Sequence, residues 1–213
     1  MSAKDEQLAE LCELSGVKNK AVLNAVAATP RAQFVGSHQE NFAHVDEALP
    51  IDCGQTISQP SLVARMTELM MGQREKVHKV LEVGTGSGYQ AAILSQLANE
   101  VYRVERIKPL LKQAESRFQQ LNLSNINTLY GDGYLDWPEH GPYDGIIVTA
   151  AAPEVPEALM DQLSEAGGRL VIPIGEQLVW QELQLVVRQK NNYETTSYDS
   201  VVFVPMLHGK ESK

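Results

Sequence analysis

From residue 60 onward the apolar positions of the chain alternate between two periods. Leu62, Met66 and Leu69 recur at helical spacing behind Pro60, which predicts a helix over 60–71. Val77–Val83 is a short, largely apolar run and predicts a strand. The alternation continues with a helix over Tyr89–Ala98, a strand over Val101–Glu105, a helix over Pro109–Leu121 and a strand over Ile126–Tyr130. Tyr143–Thr149, carrying Ile146, Ile147 and Val148, predicts a buried strand, Pro156–Leu163 a helix and Arg169–Ile174 another strand. Gln181–Arg188 and Ser197–Val204 predict two more strands with no helix between them, and Lys190-Asn191-Asn192 predicts the turn of a hairpin. Ahead of all this, Leu8, Leu11 and Cys12, then Val22, Leu23, Val26 and Ala27, keep helical spacing until Pro30. Residues 31–57 follow no period.

Strands that alternate with helices form right-handed crossovers and a parallel sheet. The expected fold is therefore α/β: a doubly wound, mostly parallel Rossmann-like sheet, made mixed at one edge by the final hairpin, with an N-terminal helical segment. A length of 213 residues suits one domain. Residues 1–57 are expected to form a helical and loop cap, and 58–213 the core.

Charge narrows the partners. Eighteen basic against 27 acidic residues leave −9, which argues against a phosphate-binding surface for nucleic acid and against a polybasic membrane face. Residues 51–110 are nearly neutral, with seven basic and six acidic residues, and most of the excess acid lies beyond residue 110. No apolar run approaches the roughly 20 residues of a membrane span, and no leader-like apolar segment opens the sequence. The expectation is a cytoplasmic, monomeric protein. Cys12 and Cys53 are expected to be buried free thiols, and the histidines show no metal-ligand spacing, so no metal is expected.

The candidate chemistry begins at Leu81-Glu82-Val83-Gly84-Thr85-Gly86-Ser87-Gly88-Tyr89, where a strand passes into a helix. Glycines there let the backbone approach a ligand beyond the carboxyl ends of the strands. The spacing is GxGxG, with Tyr89 where a dinucleotide fingerprint has its third glycine, and Glu82 before the loop opposes a phosphate and suits a cation. Glu105 ends the next strand, 21 positions after Gly84, where an acid receives ribose hydroxyls. A ribose-bearing cation without a pyrophosphate fits S-adenosylmethionine. Asp132 and Gly133, after the third strand, are candidates for the adenine wall.

Gly54-Gln55-Thr56-Ile57-Ser58-Gln59-Pro60 and Val63-Ala64-Arg65-Met66, followed by the glycine loop, by Val104-Glu105-Arg106, by Gly131-Asp132-Gly133, by Pro142–Ala150 and by Val202-Phe203-Val204-Pro205, resemble the protein-L-isoaspartate (D-aspartate) O-methyltransferase family. The resemblance runs in order from Pro30-Arg31 to Pro205. It implies a methyltransferase form of the sheet and methylation of the free α-carboxylate of L-isoaspartyl residues in damaged proteins, with S-adenosylmethionine as cofactor. It further implies Ser58 as the catalytic residue and Thr56, Ile57 and Ser58 at the junction of cofactor and substrate. Gly84, Thr85, Gly86, Ser87 and Gly88 would wrap the methionine part together with Glu82, Glu105 and Arg106 would face the ribose, Asp132 and Gly133 the adenine, and Thr149 would stand beside the loop. Thr56, Ser58, Gln59 and Val202 would meet the peptide.

The chemistry makes few demands. A carboxylate with an ordinary pKa near 4 is already ionised at neutral pH, so the acceptor needs no general base. A serine hydroxyl can orient it by donating one hydrogen bond. Ser58 has a competing reading as the N-cap of the helix that Pro60 begins. Competing functions are another methyltransferase, acting on a small molecule or an RNA base, a cofactor-binding protein without catalysis, and a dehydrogenase. Thr149-Ala150-Ala151-Ala152-Pro153 lacks the Asn/Asp-Pro-Pro-aromatic tetrapeptide of base-amine methyltransferases, and Tyr89 with Glu82 disfavours a dinucleotide.

Overall fold

The computed structural model describes residues 2–135, 137–176 and 180–212. Two helices open it, α1 (Ala3–Leu14) and α2 (Lys20–Ala28). Each starts at a side chain that receives free N–H groups. Ser2 Oγ accepts from Asp5 at 3.2 Å, and Asn19 Oδ1 accepts from Ala21 and Val22 at 3.0 and 3.3 Å. The aperiodic segment that follows holds short 3-10 turns and a small antiparallel hairpin, β1 (Leu49–Pro50) and β2 (Thr56–Ile57). Its turn carries Cys53 at φ 59° and Gly54 at φ 65°.

The regular part runs α3 (Pro60–Met71), β3 (Val77–Val83), α4 (Tyr89–Leu97), β4 (Ala98–Glu105), α5 (Lys108–Gln120), β5 (Ile126–Tyr130), β6 (Gly145–Val148), α6 (Glu157–Asp161), β7 (Ala166–Ile174), β8 (Gln181–Gln189) and β9 (Asn192–Val201). Seven strands form one sheet in the order β5-β4-β3-β6-β7-β8-β9. The pairs from β5 to β7 are parallel, and β8 and β9 join antiparallel at the edge. This is the expected doubly wound sheet with its mixed edge.

β3 lies inside the sheet between β4 and β6, and its residues divide between two cores. Val80 packs with Leu8, Val22, Leu94 and Val101 on one face, whereas Leu81 and Val83 pack with Tyr102, Ile146 and Leu159 on the other. The N-terminal helices therefore share a core with the sheet. Burial on both faces is what a parallel centre requires, and it makes the strand ends rigid supports for the loops above them.

Three expectations need correction. β9 begins at Asn192, not Ser197, and ends at Val201. It leaves a two-residue turn at Lys190 (φ 57°) and Asn191, and its residues 192–200 are exposed. An edge strand solvated on both faces needs no apolar alternation, so Asn192–Thr196 carried no strand signal. Cys53 is exposed, held in the hairpin turn, while Cys12 is buried. The strand predicted over Tyr143–Thr149 is shorter, because Tyr143 leaves the sheet to bridge Leu163.

Ile147 is fully buried on β6, paired between Glu82 and Val171, and is absent from the cavity described below. Ile147→Ala should destabilise the protein by about 2–5 kcal/mol, read from urea denaturation, with an unchanged cavity in the folded fraction.

Candidate active site

The strand order reverses direction at β3. From its carboxyl end the chain winds first towards β4 and β5, later towards β6 and β7, and a crevice opens where the two halves diverge. The glycine loop enters it. Gly84, Gly86 and Gly88 have φ of 88°, 50° and 92°, and Gly88 N–H closes a turn on Thr85 O at 2.9 Å. Space enforces the same choice. A Cβ on Gly84 would lie 2.7 Å from Thr149 Oγ1, and one on Gly88 2.8 Å from the Phe118 ring. Thr149 locks the loop from β6, its hydroxyl donating to Gly84 O and Val83 O.

Two carboxyl groups bracket this loop. Glu105 is buried at the end of β4. Its Oε2 accepts from Gly86 N–H at 2.9 Å and its Oε1 from Ile107 N–H at 2.8 Å. The backbone fixes the carboxylate, and each oxygen keeps lone pairs for a ligand hydroxyl. Glu82 is wholly buried, and neither of its oxygens has a protein partner among the described residues. Burial pushes its pKa up to about 8, opposed by Arg103 and reinforced by Glu105.

The facing wall is the aperiodic segment. Arg31 is buried and spreads its guanidinium among carbonyls. Nη1 donates to Ala43 O at 2.7 Å and Val45 O at 3.4 Å, and Nη2 donates to Glu47 O and Ser58 O, both at 3.0 Å. The guanidinium also faces the Tyr89 ring at 5.6 Å. Burial pulls its pKa below the usual arginine value, with Tyr89 and Asp46 opposing. Asp46 caps α3 from outside the helix. Oδ1 accepts from Ser61 N–H at 2.8 Å and Oδ2 from the Gln59 amide at 3.0 Å. The N-cap position is Gln59, without a capping side chain of its own. The capping alternative for Ser58 therefore falls, and its hydroxyl is not needed to start the helix.

A third wall comes from residues 203–211, which leave β9 and cross the carboxyl ends of the strands. The Gln181 amide clamps Phe203, accepting from its N–H at 2.7 Å and donating to its carbonyl at 3.2 Å. Met206 N–H then donates to Ala151 O at 2.7 Å, Gly209 N–H to Asp132 Oδ2 at 2.6 Å, and Glu211 N–H to Arg106 O at 2.7 Å.

These walls enclose a cavity of about 1040 Å³. Thr56, Ile57, Ser58, Gln59, Glu82, Gly84, Thr85, Gly86, Ser87, Glu105, Arg106, Gly133, Thr149 and Val202 all line it. Asp132 and Gly88 do not. Asp132 spends its oxygens on Gly209 N–H and Tyr134 N–H, and Gly88 turns the backbone into α4. Arg106 donates its Nε to Gly209 O and pairs with Glu211, so its guanidinium holds the crossing segment. Sequence reasoning missed Arg31, Asp46, Gln181 and the walls at Trp180, Asp199 and 205–207. An arginine or glutamine in an apolar neighbourhood was the available signal for the first and third. Among the described residues no group of three His, Cys, Asp or Glu could hold a metal ion, and no helix is long and apolar enough to cross a membrane.

The family described as protein-L-isoaspartate (D-aspartate) O-methyltransferase matches residues 2–211. The chain belongs to this family. A protein-L-isoaspartate O-methyltransferase of Alteromonas mediterranea is 50% identical over 209 residues, covering 98% of each chain, and one of Shewanella amazonensis is 51% identical over 195 residues, 92% of this chain and 90% of that one. A solved protein-L-isoaspartate O-methyltransferase superposes with a TM-score of 0.84 at 31% identity. It matches 94% of this chain, which spans 65% of that longer one. A crystal structure from Plasmodium falciparum assigned to the same enzyme, in complex with S-adenosyl-L-homocysteine, gives 0.78 at 25% identity, covering 95% and 98%. For a protein-L-isoaspartate O-methyltransferase family member, the unpartnered Glu82 carboxylate and the tethered Glu105, both lining the cavity, make a donor set that fits S-adenosylmethionine: a bare acid for a cation and a fixed acid for a diol.

Removing the Arg31 staple leaves four carbonyls without their donor. Arg31→Met should lower stability by about 3–5 kcal/mol, and amide hydrogen exchange over residues 43–58 should accelerate beyond the rest of the chain. Asp46→Ala should cost about 1 kcal/mol, with fraying confined to the first turn of α3.

Proposed function

We propose that this protein transfers the methyl group of S-adenosylmethionine to the free α-carboxylate of L-isoaspartyl residues in damaged proteins, the first step in returning them to L-aspartyl. Family membership over almost the whole chain supports the reading. The observation that carries it is the meeting of two stretches, 56–59 and 82–87, in one cavity, the second of them opening on the unpartnered Glu82 carboxyl. We place the reaction in the cytoplasm and in a monomer, with residues 1–57 as the substrate-side cap of a single domain.

When bound, the cofactor supplies an electrophilic methyl group on a sulfonium, open to in-line displacement. The residues of the chain position the reactants. Glu82 would receive the cationic methionine end, and Gly84, Thr85, Gly86 and Ser87 would shape the space around it. Glu105 would receive the ribose hydroxyls, its carboxylate preset by Gly86 and Ile107. Gly133, whose backbone packs so closely on Val83 that a Cβ there would lie 2.4 Å from Val83 Cγ1, lines the cavity and would border the adenine. The acceptor carboxylate is ionised at neutral pH, so no residue need remove a proton. Ser58, on a backbone pinned by Arg31, would donate a hydrogen bond that fixes the attack line, and Thr56, Gln59 and Val202 would flank the peptide. Glu82 and the substrate carboxylate would both be stabilised in their charged forms by a cationic ligand held in the cavity.

Labelled cofactor incubated with an isoaspartyl peptide and its aspartyl twin should methylate only the former, and equal labelling of both would refute the specificity. Ser58→Ala should lower kcat by about 10–100-fold with little change in melting temperature. Glu105→Ala should raise the cofactor KM by about tenfold, because two hydroxyls lose a charged acceptor.

A further inference from the structure

Glu82 has a neighbour that no role above uses. Arg103 is its register partner across the parallel pair β3 and β4, so both side chains project from the same face of the sheet. Both are fully buried. Neither oxygen of Glu82 and none of the three guanidinium nitrogens of Arg103 has a hydrogen-bond partner among the described residues, and the two groups form no ion pair with each other. Arg103 lies instead against the face of Phe118, with Cζ 4.6 Å from the ring centroid. Glu82 lines the cavity and Arg103 does not.

This is a costly arrangement for the protein alone. Packing on Phe118 fixes where the guanidinium stands, and its side chain has no route to the ligand. Its charge does reach Glu82. We infer that Arg103 is a positioning residue for the cofactor: from the neighbouring strand it biases the Glu82 carboxyl towards its charged form, ready for the cationic end of the ligand. The inference rests on the cofactor assignment made above.

The surrounding charges act on Glu82 in opposite directions. Arg103 favours the ionised form of Glu82, while burial and Glu105 of β4 oppose it. Arg103 is pulled down to about 10 by burial and supported by Glu82, Glu115 of α5 and Glu105. Glu105 is occupied by backbone N–H groups, and Glu115 accepts a hydrogen bond from the Thr128 hydroxyl. Among the described residues the arginine therefore remains the one cation acting on Glu82. With Glu82 poised near 8, a cationic ligand binds more tightly as pH rises through that value. Loss of Arg103 moves the rise to higher pH.

The test is calorimetric titration with S-adenosyl-L-homocysteine, whose ammonium group meets Glu82, from pH 6 to 9. Wild type, Arg103→Met, Arg103→Lys, Glu82→Gln and the double variant are compared. The ligand amine titrates alike in all of them, so differences report the protein. Arg103→Met should weaken binding about tenfold at pH 7 and shift the pH profile upward by about one unit, a tenfold change in Kd for each unit. Arg103→Lys should restore the wild-type profile, Glu82→Gln should flatten it, and Arg103→Met should add nothing in the Glu82→Gln background. Arg103→Gln, polar and neutral, serves if the methionine variant does not fold. An Arg103 variant with a lower melting temperature but the wild-type pH profile overturns the inference, as does equal weakening with and without Glu82. Failure of wild type to bind would instead overturn the cofactor assignment itself.

Discussion

The buried guanidinium of Arg31 is the contact on which the site depends. Four carbonyls from residues 43, 45, 47 and 58 converge on it, in a stretch of chain that has almost no regular structure to satisfy its own backbone. A loop of this kind normally stays at the surface, where water takes its polar groups. Here one side chain does what water would do, and the loop can close over the carboxyl ends of the strands. An arginine suits the task because its planar fork presents five donors and holds its charge when buried. The Tyr89 face gives the same guanidinium an aromatic seat at the start of α4. Arg31 thereby connects the 43–58 wall to the helix that follows the glycine loop.

A division of labour between rigid and adaptable parts follows. The glycine loop is fixed by steric exclusion: Thr149 and Phe118 stand where side chains on Gly84 and Gly88 would go. Glu105 is fixed by two N–H groups. Glu82 is fixed by burial alone, so its electrostatic state is free to respond to what enters the cavity. The substrate side is built from a short hairpin, an exposed strand end at Asp199–Val202 and an exposed Trp180. In the proposed reaction the cofactor, of invariant chemistry, would meet the stiff wall, and the substrate, whose flanking residues vary, the looser one.

Much of this was legible in the sequence because the information is local there. The helix over 60–71, the strands Val77–Val83 and Ile126–Tyr130, and the hairpin order at the sheet edge all follow from period and turn residues. Glu82, Gly84, Gly86 and Glu105 were identifiable from spacing on a known strand–loop–helix frame. What escaped was non-local. Asp46 caps a helix 15 positions away, and Arg31 bonds a carbonyl 27 positions away. Gln181 clamps Phe203 across 22 positions. None of these pairings leaves a periodic trace. Asp132 shows a second role that spacing does not reveal: from the row of strand ends it holds Gly209 of the crossing segment.

The segment 203–211 is held mainly through its own main chain. Phe203, Met206, Gly209 and Glu211 offer N–H or carbonyl groups to Gln181, Ala151, Asp132 and Arg106, while Pro205 and Leu207 line the cavity without making these bonds. Path and composition are thereby uncoupled. The side chain at 207 can therefore drift while the wall keeps its course, so the lining of the cavity can be retuned by single codon changes that leave folding intact.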